Sequence, residues 1–432
     1  MLKTVAIYTL GCRLNQAETA LTLDRFKKNG FSVTDWKDGA DIMIINSCIV
    51  TGNAERKSRR LAKQTKKKFQ DSFLVLTGCA PSKKNNKWTE DDYIDLKITN
   101  AEKTNLIEHL PKDKFSLSPK LDVSEDKLSC DHFIEDATGY YPNTTRANIK
   151  IQEGCDFRCS YCIIPDCRGL PRSRSKNDIL KEFQELLKRG HKEIVLTGIN
   201  TALYNDSGCD LADLLFEMSK KKGDFRLRLS SVEPIPSIMK LIPLIKESPK
   251  ICRFLHLPIQ YGENTILKAM NRRYDIKTFV EYANTFAKKI PNICLGTDVI
   301  VGFPGEKDIH FEECLKIIDN LPFSYLHVFS FSPRPGTPAE QMPEKVPKNL
   351  KKQRHKKLAK LANKKSQDFI EKNIGLPLKV LVENDAPYPS GWSDNYIRIN
   401  IPDSPKKGEN YFAEVILNKH EKDRKGEGVL IR

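Results

Sequence analysis

Twelve cysteines stand in this chain of 432 residues, and their spacing singles out two groups able to do chemistry. The tighter group is the segment EGCDFRCSYC, which sets Cys155, Cys159 and Cys162 as C-x3-C-x2-C. Three thiolates on one loop hold three irons of a 4Fe-4S cube and leave the fourth iron open to a chelating small molecule. A zinc site more often takes paired ligands from two separate knuckles. A closed structural cluster needs a fourth thiolate, and Cys167, a little further along, keeps that alternative open. The looser group is Cys12, Cys48 and Cys79, each of which follows an apolar run and one or two small residues, in YTLGC, IINSC and VLTGC. Cysteines that end parallel strands of one sheet project from the same edge, so thiols 36 and 31 residues apart converge. A packed cysteine is the plain alternative at any one of these positions. The repeated placement favours ligation of a second cluster with an open iron. Cys130, Cys209, Cys252, Cys294 and Cys314 have no ligand spacing and read as packed thiols.

Both groups need elements to hold them. Over roughly the first 110 residues, VAIYTL, IMIIN and FLVLT read as buried parallel strands with helical spacing between them, the pattern of a small α/β domain. A polar stretch with scattered hydrophobes, residues 113–145, reads as a linker. Then NIKIQ, EIVLTG, FRLRLS, FLHLPIQ, CLGTDVIVG and YLHVFSFS alternate with stretches long enough for helices, which indicates a parallel sheet curled into an incomplete barrel. The tighter cysteine group follows the first of these strands, on the face where such barrels keep their chemistry. The clearest helix is NDILKEFQELLKRG, with Ile179, Phe183, Leu186 and Leu187 on one face, Asp178 in the first turn and Gly190 at the stop. Five prolines from Pro333 to Pro347 break the pattern, and a lysine-rich helix around Leu358, Leu361, Phe369 and Ile370 runs to Gly375. The remainder, with LKVLVEN, GWSDNYIRINI and NYFAEVIL, alternates in period two, the mark of a small antiparallel barrel.

C-x3-C-x2-C with an aromatic residue before its last cysteine, on a partial barrel, resembles the radical S-adenosylmethionine (SAM) superfamily. The resemblance implies that the open iron binds the amino and carboxylate groups of SAM and that an electron from the cluster cleaves the sulfonium to a 5′-deoxyadenosyl radical. Cys155, Cys159 and Cys162 are then catalytic as well as metal-binding. It also implies SAM contacts at Tyr161 against the adenine, at Thr197, Gly198 and Asn200 in LTGIN, at Ser231 and Glu233 in RLSSVEP, and at Gly302 and Gly305 in VGFPGE. The whole chain resembles the methylthiotransferases. Residues 1–112 would be their N-terminal α/β three-layer domain with the second cluster, 146–374 the radical SAM partial (β/α)6 TIM-like barrel, and 375–432 a TRAM-like RNA-binding β-barrel. In that family the second cluster, or sulfur on its open iron, supplies the inserted sulfur, and SAM serves both as methyl donor and as radical source. An unactivated aromatic C–H resists polar substitution, so a radical step beside a held sulfur fits the layout. The opening YTLGCRLNQAET resembles the branch that modifies N6-threonylcarbamoyladenosine (t6A) beside the tRNA anticodon, and TGNAERKSRR, CSYCIIPDCRG and FSPRPGTPA agree. Cys167 stands where that pattern has a small aliphatic residue. The alternatives are the same chemistry on isopentenyladenosine in tRNA or on a ribosomal-protein aspartate, and, from another class, a non-catalytic metal-containing RNA-binding protein.

Charge bears on the partner. Lys plus Arg, 72, exceed Asp plus Glu, 56, for a formal +16, which favours a polyanion such as RNA. Residues 375–432 hold nine of each sign, so the excess lies upstream. Phosphate contacts are expected from Arg56, Lys57, Arg59 and Arg60, from Arg168, Arg172 and Arg174, or from the Lys351 to Lys365 helix, with solvated helix faces as the plain alternative. Trp392 and Tyr396 are expected to offer stacking surfaces to bases. No apolar run approaches the roughly 18 residues that a bilayer span needs, and VAIYTL runs into Gly11, Cys12 and Arg13 rather than a small-residue cleavage site. The reading is a cytoplasmic protein with no membrane partner. The family resemblance further implies a cellular electron donor, such as flavodoxin or ferredoxin, and a sulfur donor.

Overall fold

Apolar runs in the first part of the chain become the middle of a parallel sheet. The computed structural model describes residues 3–83, 93–110, 121–123, 132–142, 144–383, 389–402, 410–421 and 425–431; Cys130 lies outside them. The strands β1 (Thr4–Thr9), β2 (Ser32–Val33), β3 (Ile42–Ser47), β4 (Phe73–Gly78), β5 (Leu96–Ile98) and β6 (Leu121–Val123) pair in the order β2-β1-β3-β4-β5-β6. Successive β3 residues alternate between two cores, Ile42 and Ile44 with Phe26 on one face, Met43 and Ile45 with Ala62 on the other. Helices α1 (Arg13–Lys28) and α2 (Gly52–Lys68) supply those two covers, which gives three layers. The stretch expected as a linker contributes β6 to this sheet.

The next region repeats strand and helix. It comprises β7 (His132–Phe133), β8 (Arg146–Lys150), β9 (Gln152–Glu153), α3 (Ile164–Arg168), β10 (Arg172–Arg174), α4 (Lys176–Lys188), β11 (Glu193–Thr197), β12 (Asn205–Asp206), β13 (Cys209–Asp210), α5 (Leu211–Ser219), β14 (Arg226–Leu229), α6 (Leu241–Glu247), β15 (Phe254–His256), α7 (Asn264–Ala269), α8 (Ile276–Lys289), β16 (Cys294–Val301), α9 (Asp308–Asn320), β17 (Tyr325–Ser330), α10 (Pro338–Gln341) and α11 (Lys348–Glu371). Strands β8, β11 and β14 are parallel, as are β15, β16 and β17, and parallel bridges at Leu227–Ile251 and Ser231–His256 join the two sets. The result is the open six-stranded barrel that the alternation indicates. Its outer core holds Ile149, Leu196, Leu227, Leu295 and Val299 together with Ile179, Phe183 and Leu186 of α4. Among the described residues no helix is long and apolar enough to cross a membrane.

The last strands, β18 (Pro377–Glu383), β19 (Ser390–Ser393), β20 (Arg398–Asn400), β21 (Tyr411–Glu421) and β22 (Lys425–Leu430), close a small barrel in the order β18-β19-β20-β22-β21. It plugs the N-terminal ends of the large barrel's strands. Glu193 pairs with both Arg226 (2.6 Å) and Arg228 (2.9 Å), and these fully buried guanidiniums donate onward to the Trp392 and Ser393 carbonyls. Tyr396 packs its ring 4.6 Å from Phe254 and 4.5 Å from Trp392. Both rings are therefore engaged in this plug, which corrects the expectation that they are free to stack on bases.

Candidate active site

The N-terminal thiols sit where three neighbouring strands end. Cys12, Cys48 and Cys79 follow the ends of β1, β3 and β4, and the ladder continues past the strands through Leu10 N–H to Asn46 O (2.9 Å) and Cys79 N–H to Ser47 O (3.2 Å). Gly11 has φ +95°, and a Cβ there would lie 2.8 Å from the Cys48 sulfur. Only glycine allows both that turn and that approach. Asn15, in the first turn of α1, donates to Leu10 O (2.7 Å) and Ser47 O (3.0 Å), clamping two of the three cysteine turns together. Burial pushes the Cys48 thiol up to about 12, and charge at Cys79 and Cys12 acts in the same direction. Such thiols stay protonated at neutral pH until a coordinating cation deprotonates them.

The second triad lies on the loop between β9 and α3. Ser160 pins that loop to α7 by donating to Ala269 O (2.7 Å), and Cys155 N–H donates to Gly169 O (3.1 Å). Burial lifts Cys155 to about 11, opposed by the Phe157 N–H and reinforced by Cys159, and lifts Cys162 to about 12, reinforced by Cys159 and Cys155. In each triad the thiols lie close enough for neighbours to raise Cys48, Cys155 and Cys162, the donor chemistry of an iron–sulfur site.

Around the second triad the expected SAM residues gather. Tyr161 meets Phe303 edge-on at 6.4 Å, which brings the Gly302 turn beside the cysteine loop. Gly302 and Phe303 donate their N–H groups to Glu306, and Gly305 N–H donates to Glu344 O (3.0 Å). Thr197 ends β11 fully buried, and Gly198 lies against Gln152. Asn200 is 1% exposed, yet neither its amide nitrogen nor its oxygen has a partner, and the Ser230 hydroxyl is likewise unmet. Buried polar groups are ordinarily satisfied, so these unmet atoms fit a polar amino-acid moiety such as that of SAM. Ser231 lends its carbonyl to Thr201 (2.9 Å), and Glu233 is ion-paired to Arg272.

Two residues of this site carry no motif and escaped sequence reading. Gln152 donates to Glu153 O (2.9 Å) and Gly154 O (2.8 Å) while accepting from Ile199 and Asn200 N–H (3.1 and 2.9 Å), so it ties the cysteine loop to LTGIN. Arg272 reaches the Cys159 sulfur at 3.2 Å. A third residue, Arg168, has a place other than the one expected. It leaves the end of α3, fully buried, and donates to Glu18 (2.6 Å) and Asn15 (2.8 Å) of the N-terminal domain. Arg172 and Arg174 are paired with Glu153, Asp178 and Glu182. All three arginines are therefore consumed internally, which corrects the expectation that they contact phosphate. Cys167 lies buried in one core with Cys48 and Cys79 of the first triad.

Residues 149–318 match the Radical SAM superfamily, and residues 4–98 match the Uncharacterized protein family UPF0004. The threonylcarbamoyladenosine tRNA methylthiotransferase MtaB of Bacillus subtilis is 34% identical over 405 residues, 92% of this chain and 90% of that protein. Its namesake in Thermotoga maritima is 37% identical, over 88% of this chain and 87% of that one. The chain belongs to the radical SAM methylthiotransferases. As a methylthiotransferase of this superfamily it is an enzyme that uses SAM and a 4Fe-4S cluster. A tRNA-2-methylthio-N(6)-dimethylallyladenosine synthase of Clostridium tetani is 32% identical over 92% of this chain and 90% of that one, so methylthiotransferases of more than one name align along nearly the whole sequence. Among solved structures, the radical SAM methyltransferase TsrM of Kitasatospora setae shares the fold, with a TM-score of 0.59 at 15% identity over 78% of this chain and 75% of that one.

Proposed function

We propose that this enzyme works in the cytoplasm and inserts a methylthio group at C2 of t6A next to the tRNA anticodon. The observation that carries the reading is a pair of three-thiol sites, each on its own domain, joined through one buried arginine in a chain that aligns nearly end to end with relatives named for that nucleoside. Cys155, Cys159 and Cys162 hold the SAM-binding cluster, and Cys12, Cys48 and Cys79 hold a second 4Fe-4S cluster. When bound, the first cluster would supply the electron that cleaves SAM, and the second would supply the sulfur to be inserted. The chain's own residues bind and orient: Tyr161 with Phe303 seats the adenine, Asn200 and Ser230 receive the methionine part of SAM, and Glu233 is held toward it by Arg272. Thr197, Gly198, Ser231, Gly302 and Gly305 complete the wall. Residues 1–112 serve as the sulfur-bearing domain, 146–374 as the radical core and 375–432 as the RNA-binding barrel. Arg56, Lys57 and Arg60, exposed along α2, supply phosphate contacts just beyond Cys48. Electrons come from a flavodoxin or ferredoxin, and a separate sulfur donor restores the second cluster.

The test is mass spectrometry of tRNA nucleosides from cells lacking this protein. The 2-methylthio form of t6A should vanish while t6A itself accumulates. Retention of that form would dismiss the substrate, and loss of the methylthiolated isopentenyladenosine instead would move the assignment to the other tRNA branch.

A further inference from the structure

The large barrel carries a third constellation that neither cysteine group explains. Strands β15, β16 and β17 lie side by side, and each contributes one side chain to it: His256, Asp298 and His327. Asp298 stands directly opposite His327 in register. Along β16, Leu295, Val299 and Val301 point into the helix-covered core, so the period-two alternation turns Gly296 and Asp298 toward the barrel lumen. One donor atom from each of the three side chains lies within 4.8 Å of the others.

The support around His256 is that of a ligand. A Cβ at Gly296 would come within 2.0 Å of the Tyr325 ring, so Tyr325 lies across that glycine and brings its hydroxyl 2.8 Å from His256 Nδ1. The opposite nitrogen, Nε2, is thereby aimed at Asp298 Oδ2, 3.2 Å away. Metal-binding histidines are held in this way, with the second ring nitrogen fixed by an outer partner that sets tautomer and orientation. His256 is buried, Asp298 half-buried and His327 exposed, so the set has a closed floor under Tyr325 and Tyr396 and an open side. Two imidazoles and one carboxylate, with positions left vacant, suit a first-row divalent cation such as zinc or ferrous iron.

We propose that His256, Asp298 and His327 form a mononuclear divalent-metal site on the lumen wall, distinct from both iron–sulfur sites. Its open positions take an oxygen donor, and the carboxylate of a threonylcarbamoyl arm is the fitting one; this last part rests on the t6A reading above. Without a cation, Asp298 would repel that carboxylate. With one, the same three residues attract it.

Cobalt(II) is the probe, added to full-length enzyme whose clusters have been loaded anaerobically so that the six cysteines are occupied. One cobalt per chain is expected, with the ligand-field absorption of nitrogen and oxygen donors and no thiolate charge-transfer band. His327→Ala and His256→Gln should each abolish uptake while keeping full iron content and the wild-type circular dichroism. Tyr325→Phe should weaken binding about 10-fold or more, as loss of an outer-shell partner does. Absence of cobalt uptake by wild-type enzyme, a thiolate band, or wild-type uptake by either histidine variant would overturn the site and leave a Tyr325–His256–Asp298 hydrogen-bond relay. Adding t6A nucleoside should shift the cobalt spectrum where adenosine does not. An unshifted spectrum overturns the carboxylate ligand alone, since the tRNA nucleoside analysis judges the t6A reading independently.

Discussion

Asn200 shows how a single residue separates binding from stability. Its side chain is buried with both polar atoms unmet, and an unsatisfied buried group costs about 1 to 3 kcal/mol. Asn200→Ala removes that cost from the SAM-free enzyme, so its melting temperature should hold or rise. With SAM placed against this side chain as proposed, its affinity should fall by roughly 10-fold or more. Calorimetry with and without SAM reads both effects, and a drop in SAM-free stability with unchanged affinity would make Asn200 a packing residue. The thiols divide in a similar way. Cys159→Ala should abolish reductive formation of 5′-deoxyadenosine from SAM, whereas Cys48→Ala should leave that cleavage intact and stop methylthiolation. Equal loss of both activities in the Cys48 variant would merge the two sites into one functional unit.

At the level of elements, the turns that end β1, β3 and β4 decide whether three thiols meet. Gly11 holds φ +95° against the Cys48 sulfur, and a side chain there both strains the backbone and displaces that sulfur. Gly11→Ala should therefore cut iron from about eight per chain to about four, with SAM cleavage retained. Iron analysis beside a SAM cleavage assay checks it, and a full complement of iron would show that the turn tolerates a Cβ. These strand ends were readable because YTLGC, IINSC and VLTGC repeat one local pattern. The open barrel was equally readable, since each strand is an apolar run of the right length. What local pattern could not show is where long side chains end. Arg168, Arg172 and Arg174 resemble an RNA-facing cluster in sequence, but Arg174 turns onto Asp178 and Glu182 of the next helix, and Glu18 and Glu153 reach Arg168 and Arg172 only once the chain has folded. Tyr396 misled for the same reason, its partner Phe254 being supplied by a strand of another domain. Gln152 and Arg272 belong to no motif and acquire meaning only from what they touch. On α2, by contrast, Arg56, Lys57 and Arg60 remain exposed. Replacing all three with Gln should lower the slope of log affinity for tRNA against log salt by up to about 0.9 for each phosphate no longer neutralised. An unchanged slope would place phosphate binding elsewhere on the surface.

Across the whole molecule, the N-terminal domain and the barrel are joined by buried ions as well as by apolar packing, Ile163 and Cys167 sharing a core with Leu10 and Met43. Glu18 of α1 takes Arg168 (2.6 Å), Lys103 (2.7 Å) and Lys150 (3.4 Å), while Lys150 also binds Glu135 (3.0 Å), which in turn holds Arg25 of α1 (2.7 Å). Burial alone would raise the Glu135 carboxyl, but Lys150, Arg25 and Arg174 outweigh it and bring the group from its ordinary 4.5 to about 2. Glu18 and Glu153 are lowered in the same way by the cations around them. A carboxyl whose folded value lies below its unfolded one stabilises fully above the unfolded value and loses that contribution as pH falls through the folded one. For Glu135 the window runs from pH 4.5 down to about 2, and the contribution at neutral pH is roughly 3 kcal/mol at 1.36 kcal/mol per unit. Glu135→Gln keeps the shape but not the charge, and so should destabilise the neutral protein by an amount of that order. The gap between wild type and variant, followed by urea unfolding from pH 7 to pH 3, should narrow steadily once the pH drops below about 5. A gap that stays constant over that range would mean that Glu135 holds the two domains by packing, and that the charge joining the first cysteine triad to the second resides in Glu18 and Arg168.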